Sequence, residues 1–257
     1  MNGETPLPPR PLRVSGLAVA RDGRTLFSGI DFRLEPGEVL LVRGPNGAGK
    51  SSLLLTLAGI LRPEAGRIEV STGDERPGEA VHFLGHLSAV KPRLTLEENL
   101  RFWVDLYGGS HKTPSPLRGR RWREAPVEGG GQSAQQEPRT PLIRPSGTLS
   151  LGGEKGHSTE TGAAIPEALE AVGLGGLDHH DAGHLSQGQT RRLALARLVA
   201  IRRPVWLLDE PTAALDTGGE ALVARLIEAH RAAGGVAVIA THHDLPVAAK
   251  TLTLGAS

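Results

Sequence analysis

Cysteine is absent from all 257 residues, which excludes disulfide frameworks, thiolate nucleophiles and cysteine-ligated zinc or iron–sulfur centres. That absence fits a reducing compartment. Nor is there an excess of either charge: 29 Lys and Arg stand against 28 Asp and Glu, a net of +1. Bulk electrostatics therefore gives no reason to expect nucleic acid as a partner. Long apolar runs are missing as well, none approaching the ~18 residues of a membrane-spanning helix. The opening Met1–Pro6 lacks the charged-then-apolar form of a secretory signal, so the expectation is a cytoplasmic protein. What remains is a chain long enough to bury a substantial core without covalent or metal staples.

Glycine and proline are unevenly spread. Residues 108–160 hold 10 Gly, 6 Pro and 6 Ser in 53 positions, without a sustained apolar period. Such a composition buries too little apolar surface to offset the entropy of ordering, so this stretch is expected to be a disordered insertion. On either side the pattern is α/β. Glu38–Arg43, Val81–Gly85, Val205–Leu208 and Val236–Ala240 are short apolar runs, as strands covered on both faces should be. Ser51–Leu61 and Gly219–Ala233 read as helices, the second stopped by Gly234 and Gly235. Strands alternating with helices imply a mainly parallel sheet with helices on both faces.

Between the first run and the first helix lies Gly44-Pro45-Asn46-Gly47-Ala48-Gly49-Lys50-Ser51, followed by Ser52. This is the phosphate-binding pattern G-x-x-x-x-G-K-[ST] in the strand-to-helix context that it requires. Glycines let backbone N–H groups converge on phosphate oxygens, and the helix N-terminus adds partial positive charge. Lys50 is expected to reach the β- and γ-phosphates, and the Ser51 hydroxyl to ligate Mg²⁺. A second acid at a neighbouring strand end is needed for the metal, and Asp209 follows Val205–Leu208. Glu210, next in the chain, is placed to orient and deprotonate an attacking water. The expected ligands are therefore ATP and Mg²⁺, in a P-loop NTPase.

Three further stretches carry a family resemblance. Leu185-Ser186-Gln187-Gly188-Gln189 ahead of Thr190–Arg197 resembles the signature motif of ATP-binding cassette ATPases, and it lies upstream of Asp209-Glu210 as in that family. Ala214-Leu215-Asp216 resembles its D-loop, and Thr241-His242 its switch histidine. The resemblance implies a RecA-like core with an antiparallel β-subdomain and a helical subdomain carrying the signature. It divides the single nucleotide-binding domain 1–257 into a core, 1–86 and 190–257, and a helical part, 87–189. It further implies a head-to-tail dimer with a second copy of the chain, each ATP lying between one phosphate loop and the other copy's signature. His242 would then contact the γ-phosphate beside Glu210, and its neighbour His243, pointing the other way along an extended chain, is the weaker candidate. The motif's helix-start position also makes Ser186 and Gly188 reasonable anion ligands in their own right.

Two positions depart from the family pattern. Where an aromatic ring usually stacks on adenine this chain has Arg21, whose guanidinium can also stack on a base. At the Q-loop position it has Leu87 instead of glutamine, after His86. Leucine can neither ligate Mg²⁺ nor touch water through a polar group, so either hydrolysis works without that contact or His86 or backbone substitutes.

Gly85-His86 followed by Lys91-Pro92-Arg93-Leu94-Thr95-Leu96-Glu97-Glu98-Asn99-Leu100 is similar to the cassettes of cytochrome c biogenesis, the haem exporter group, as is Arg24–Gly29. That resemblance implies an ATP-hydrolysing subunit, peripheral on the cytoplasmic face of the inner membrane and bound to a membrane-spanning permease. ATP closure of the dimer would drive haem export or release of a haem-loaded carrier. The alternatives are the ATPase of another small exporter, or a soluble cassette without a permease; an ATP sensor without turnover is argued against by Glu210 and His242. Two other clusters are discounted. Asp178–His184, with three histidines, reads as a solvated loop rather than a metal site, and the basic Arg118–Arg123 as part of a solvated tether.

Overall fold

The computed structural model describes residues 7, 10–21, 23–70, 80–108 and 159–255. Two sheets organise them. Strands β1 (Leu12–Arg21), β2 (Arg24–Leu34) and β4 (Ala65–Val70) form an antiparallel sheet in the order β2-β1-β4. Strands β3 (Val39–Arg43), β5 (Val81–Leu84), β6 (Val205–Asp209), β7 (Val236–Ala240) and β8 (Lys250–Thr253) form a second sheet, ordered β5-β6-β7-β3-β8 and parallel throughout.

The parallel sheet is buried on both faces, and the period of two sorts its side chains. Leu40, Val42, Leu207 and Val238 point to a core shared with helix α1 (Lys50–Leu57) and the antiparallel sheet. Leu41, Trp206, Leu208 and Ile239 point to the opposite core, completed by four helices. These are α2 (Leu96–Gly108), α3 (Thr159–Ala171), α4 (Gln187–Ala200) and α5 (Thr217–Ala232). Helices α2, α3 and α4 also pack on one another.

Local chemistry sets the helix ends. Thr95 and Glu98 close a reciprocal capping box at the start of α2, with Glu98 N donating to Thr95 Oγ1 at 3.2 Å and Thr95 N to Glu98 Oε2 at 2.9 Å. Ser186 and Gln189 do the same for α4 at 3.2 and 2.9 Å. Asn99, 2% exposed, secures the segment before α2 through the carbonyls of Lys91, Leu94 and Thr95. On α2, Trp103 and Tyr107 stack, and Arg197 and Arg203 each lie 4.5 Å from the centre of one of these rings.

Some expectations need adjustment. The helix expected over 51–61 ends at Leu57, because Gly59 takes φ +71° and Ile60 N turns back to Leu55 O at 2.9 Å. Helix α5 starts two residues earlier than expected, at Thr217, because Asp216 caps it through Gly219 N at 2.8 Å. Of the insertion read at 108–160, residues 109–158 lie outside the described residues; Gly108 is the last residue of α2, and Thr159 and Glu160 are the first of α3. The division at 189–190 falls within α4, which runs unbroken through it. Among the described residues, no helix is long and apolar enough to cross a membrane.

Candidate nucleotide site

A parallel sheet gathers its carboxyl ends on one edge, and here four adjacent strands deliver the motif residues there. The loop 44–49 follows β3, Gly85-His86 follows β5, Asp209-Glu210 ends β6, and Thr241-His242 follows β7. The register makes these ends level, with Asp209 paired to Ala240 and Ala240 to Val42.

Gly44 begins the phosphate loop at φ +145°, and a Cβ there would lie 2.5 Å from the Leu254 carbonyl oxygen, so no larger residue fits. Gly49 is the N-cap of α1; it offers no side-chain cap, and the first turn of α1 carries no acid. The backbone donors of that turn are thus left for an anion. Lys50 bends over the loop and donates to the carbonyls of Gly44 at 2.7 Å and Pro45 at 3.1 Å. Asn46 and Gly47 are exposed at the loop's crest, Ala48 N closes a turn on Pro45 O at 3.2 Å, and Ser52 is buried beneath it. The Ser51 hydroxyl is near enough to the Asp209 carboxylate to favour its charged form. Arg21, exposed at the end of β1, is the cross-strand partner of Arg24, while Phe27 further along β2 sets its ring beside Gly49.

Asp209 is 6% exposed. Burial pushes its carboxyl above the ordinary aspartate range and Glu210 adds to the rise, while the Ser51 hydroxyl, His86 and Arg191 pull the other way. Glu210 adopts φ +47°, a left-handed conformation that costs a side-chain-bearing residue about 1–3 kcal/mol. Its Oε1 lies 2.9 Å from His242 Nδ1, and its buried Oε2 has no hydrogen-bond partner among the described residues. The His243 ring lies against that of His242, centroids 4.0 Å apart and planes tilted by 43°, and its backbone N donates to Thr241 Oγ1 at 3.0 Å. Of the two histidines, His242 is the one brought to Glu210.

The signature residues lie apart from this edge. Leu185 is half-buried, Ser186 caps α4, and Gln187 is exposed in its first turn. Ser186, Gly188, Gln189, Arg192, Leu215 and Asp216 line a cleft of 480 Å³. Arg192 Nη2 is 3.4 Å from Asp216, whose carboxyl is held below the usual range chiefly by the Gly219 N–H and also by Arg192. Leu87 is 82% exposed and contributes no polar atom to the edge. His179, from the discounted histidine loop, lies 3.6 Å from Glu97 on α2.

Sequence reasoning passed over Arg191. This guanidinium is 2% exposed and donates to backbone carbonyls on both β5 and β6 loops. A signal did exist: Arg191 occupies the same helical stripe as Ala194, Leu195 and Leu198, all buried.

A glycine-rich loop between strand and helix, an acidic pair on the adjoining strand end and a histidine on the next define a P-loop ATPase. The chain belongs to the ABC transporter family, whose model matches residues 27–213. It is 40% identical over 243 residues to the cytochrome c biogenesis ATP-binding export protein CcmA of Nitrobacter winogradskyi, covering 94% of this chain and 96% of that protein. The protein of the same name from Rhizobium meliloti is 40% identical over 247 residues, with 95% and 97% covered. That from a Chelativorans species is 41% identical over 237 residues, with 91% and 92% covered. An ATP-binding protein of an ABC transporter from Pyrococcus furiosus shares the fold, with a TM-score of 0.65 at 23% identity over 95% of this chain and 97% of its own. The chain is thus an ATP-binding ATPase of the ABC type, built as a P-loop NTPase with a RecA-like parallel sheet, an antiparallel sheet and a helical layer.

Proposed function

We propose that this chain is the ATP-hydrolysing subunit of an inner-membrane complex for cytochrome c biogenesis, exporting haem or releasing a haem-loaded carrier. Two copies pair head to tail around ATP, and each is seated peripherally, on the cytoplasmic face, against a membrane-spanning permease. The observation that carries hydrolysis is the 2.9 Å contact between Glu210 and His242 on the same edge as the phosphate loop. The cytochrome c assignment rests on relatives about 40% identical over nearly the whole chain.

In this reading Gly44 and Pro45 shape the loop, the N–H groups of residues 46–52 cradle the phosphates, and Lys50 exchanges the Gly44 and Pro45 carbonyls for the β- and γ-phosphate oxygens. Ser51 at the start of α1 and Asp209 at the end of β6 are hard oxygen donors near one another, and they fit Mg²⁺. The cation supplies charge neutralisation for the phosphates when bound. Glu210 accepts the proton of the attacking water, and His242 holds that carboxylate in place. Leu185, Ser186, Gln187, Gly188 and Gln189 face the γ-phosphate held by the second copy, with Asp216 beside them, and Arg21 stacks on adenine. Residues 1–86 and 190–257 serve as the nucleotide core and 87–189 as the helical part, with α4 running across the boundary between them. Leu87 leaves the Q-loop position without a metal or water ligand, so coupling there passes through the backbone of residues 85–86 and through His86.

The test is haem staining of covalently attached c-type cytochromes in cells whose only copy carries Lys50→Ala, with b-type cytochromes as control. Selective loss of the c-type signal is expected, since the lysine is the cation nearest the phosphates in the loop. If c-type cytochromes persist at wild-type levels, the pathway assignment is wrong, although the ATPase assignment survives.

A further inference from the structure

We propose that Arg191 is a positioning residue for hydrolysis, clamping the backbone that aims Glu210 and tying that aim to the signature helix. The proposal rests on the reading of Glu210 as the base. A guanidinium has five N–H donors in a rigid fork, and here all are directed at main-chain carbonyls. Nε donates to Pro211 O at 3.2 Å, Nη1 to Gly85 O at 2.9 Å and His86 O at 3.3 Å, and Nη2 to Asp209 O at 2.9 Å and Glu210 O at 2.6 Å. The side chain is 2% exposed. A buried charge spent on backbone alone, with two carboxylates close by, is a costly arrangement, and its geometry accounts for what it does.

The first consequence concerns Glu210. Its φ of +47° is a strained state that persists only where the surroundings over-determine it. Both flanking peptides are pinned: Glu210 N donates to Ala240 O at 2.9 Å, and Glu210 O accepts from Arg191. Release of the second restraint lets the residue relax toward negative φ, which swings the carboxylate away from His242. The second consequence concerns the β5 loop, where the same guanidinium holds the two residues that precede Leu87. The third is mechanical. Ser186, which caps α4 and lines the signature cleft, lies five residues before Arg191 on one rigid helix, about 7.5 Å along its axis. Any displacement of α4 driven from that cleft therefore carries the clamp with it.

The experiment compares the full-length chain with Arg191→Ala, Arg191→Lys and Glu210→Gln, measuring steady-state hydrolysis, binding of a fluorescent ATP analogue and thermal unfolding. For Arg191→Ala, kcat is expected to fall about 100-fold, as misplacement of a base by about an ångström does, with nucleotide affinity within about threefold of wild type. Guanidinium ion at about 10–50 mM should restore a substantial part of that turnover, because the planar fork refills the carbonyl cluster, but should not help Glu210→Gln. Lysine presents a point charge in place of the fork, so Arg191→Lys should also lose kcat with affinity retained. If Arg191→Ala does not fold, Arg191→Lys carries the test. Turnover within about threefold of wild type in a folded Arg191 variant, with Glu210→Gln inactive, overturns the positioning role and leaves the base intact. A joint fall of affinity and turnover without recovery by guanidinium would make Arg191 merely structural, and also overturns it. Full activity in Glu210→Gln would instead remove the reading on which the proposal stands.

Discussion

Replacing Glu210 with Gln is expected to lower ATP turnover by about 10²–10³-fold while leaving nucleotide affinity within about threefold of wild type. The substitution is nearly isosteric, and the amide oxygen can still accept a hydrogen bond from His242 at the 2.9 Å position of Oε1. The backbone restraints at Glu210 N and O are untouched, so the left-handed turn at the end of β6 survives. Binding is carried elsewhere, by Lys50, the loop amides and the Ser51–Asp209 pair, none of which contacts the altered atoms directly. What is lost is the ability to take a proton at Oε2, the buried carboxylate oxygen with no internal partner. His242→Ala should also reduce turnover, since it frees the carboxylate from its only side-chain hydrogen bond among the described residues. Single-turnover hydrolysis alongside binding of a fluorescent ATP analogue measures both quantities. Turnover in Glu210→Gln that matches a readily measurable wild-type rate would exclude Glu210 as the base. Equal, negligible hydrolysis in both proteins would instead point to an ATP sensor.

How far this site was legible depended on where the information lies. Strands β6 and β7 were plain from sequence because burial on both faces forces uninterrupted apolar runs, and every residue of each is buried. The phosphate loop was plain because its chemistry is local. The antiparallel sheet came from family resemblance, since the burial of β1 follows no clean alternation. The cause is its broken register: shifts between Val14 and Leu17 and again between Val19 and Ala20 rephase the side chains. The early end of α1 was hidden by Ile60 and Leu61, apolar residues that prolong the helical pattern past the glycine that stops it. Arg191 was missed for a deeper reason. Its partners are carbonyls of residues 85–86 and 209–211, which carry no side-chain signature and come together only through the β5–β6 pairing. A charge on the apolar stripe of α4 was visible, but nothing local said what it meets.

Acidification is expected to destabilise the protein by about 4 kcal/mol between pH 7.5 and pH 5, through two buried imidazoles. His82 on β5 is the register partner of Trp206, and His230 on α5 stacks on that indole at 3.9 Å with planes 9° apart. Burial, reinforced by Arg197 and Arg203, lowers the His82 pKa to about 3; the Ile201 backbone carbonyl, which favours the protonated ring, opposes the fall. Burial, with a contribution from Arg202, lowers that of His230 to about 4, against the opposing pull of the Val236 and Pro204 carbonyls. Both rings are therefore neutral in the native state across the physiological range. Above pH 6.5 they are neutral in the unfolded chain as well and contribute no pH dependence. Below it the unfolded chain takes up protons that the native chain refuses, so stability drops by about 1.4 kcal/mol per histidine per pH unit, levelling as each native pKa is reached. Asp209, with its carboxyl raised, works in the opposite sense but is one group against two. Urea unfolding at pH 7.5, 6 and 5 gives the slope directly. His230→Gln retains a donor for the Val236 carbonyl, 3.2 Å from Nε2, and removes the titration, so about half of the loss should disappear. A slope unchanged by that substitution would mean that His230 takes up its proton in the native protein as readily as in the unfolded chain, so that burial against the indole does not lower its pKa.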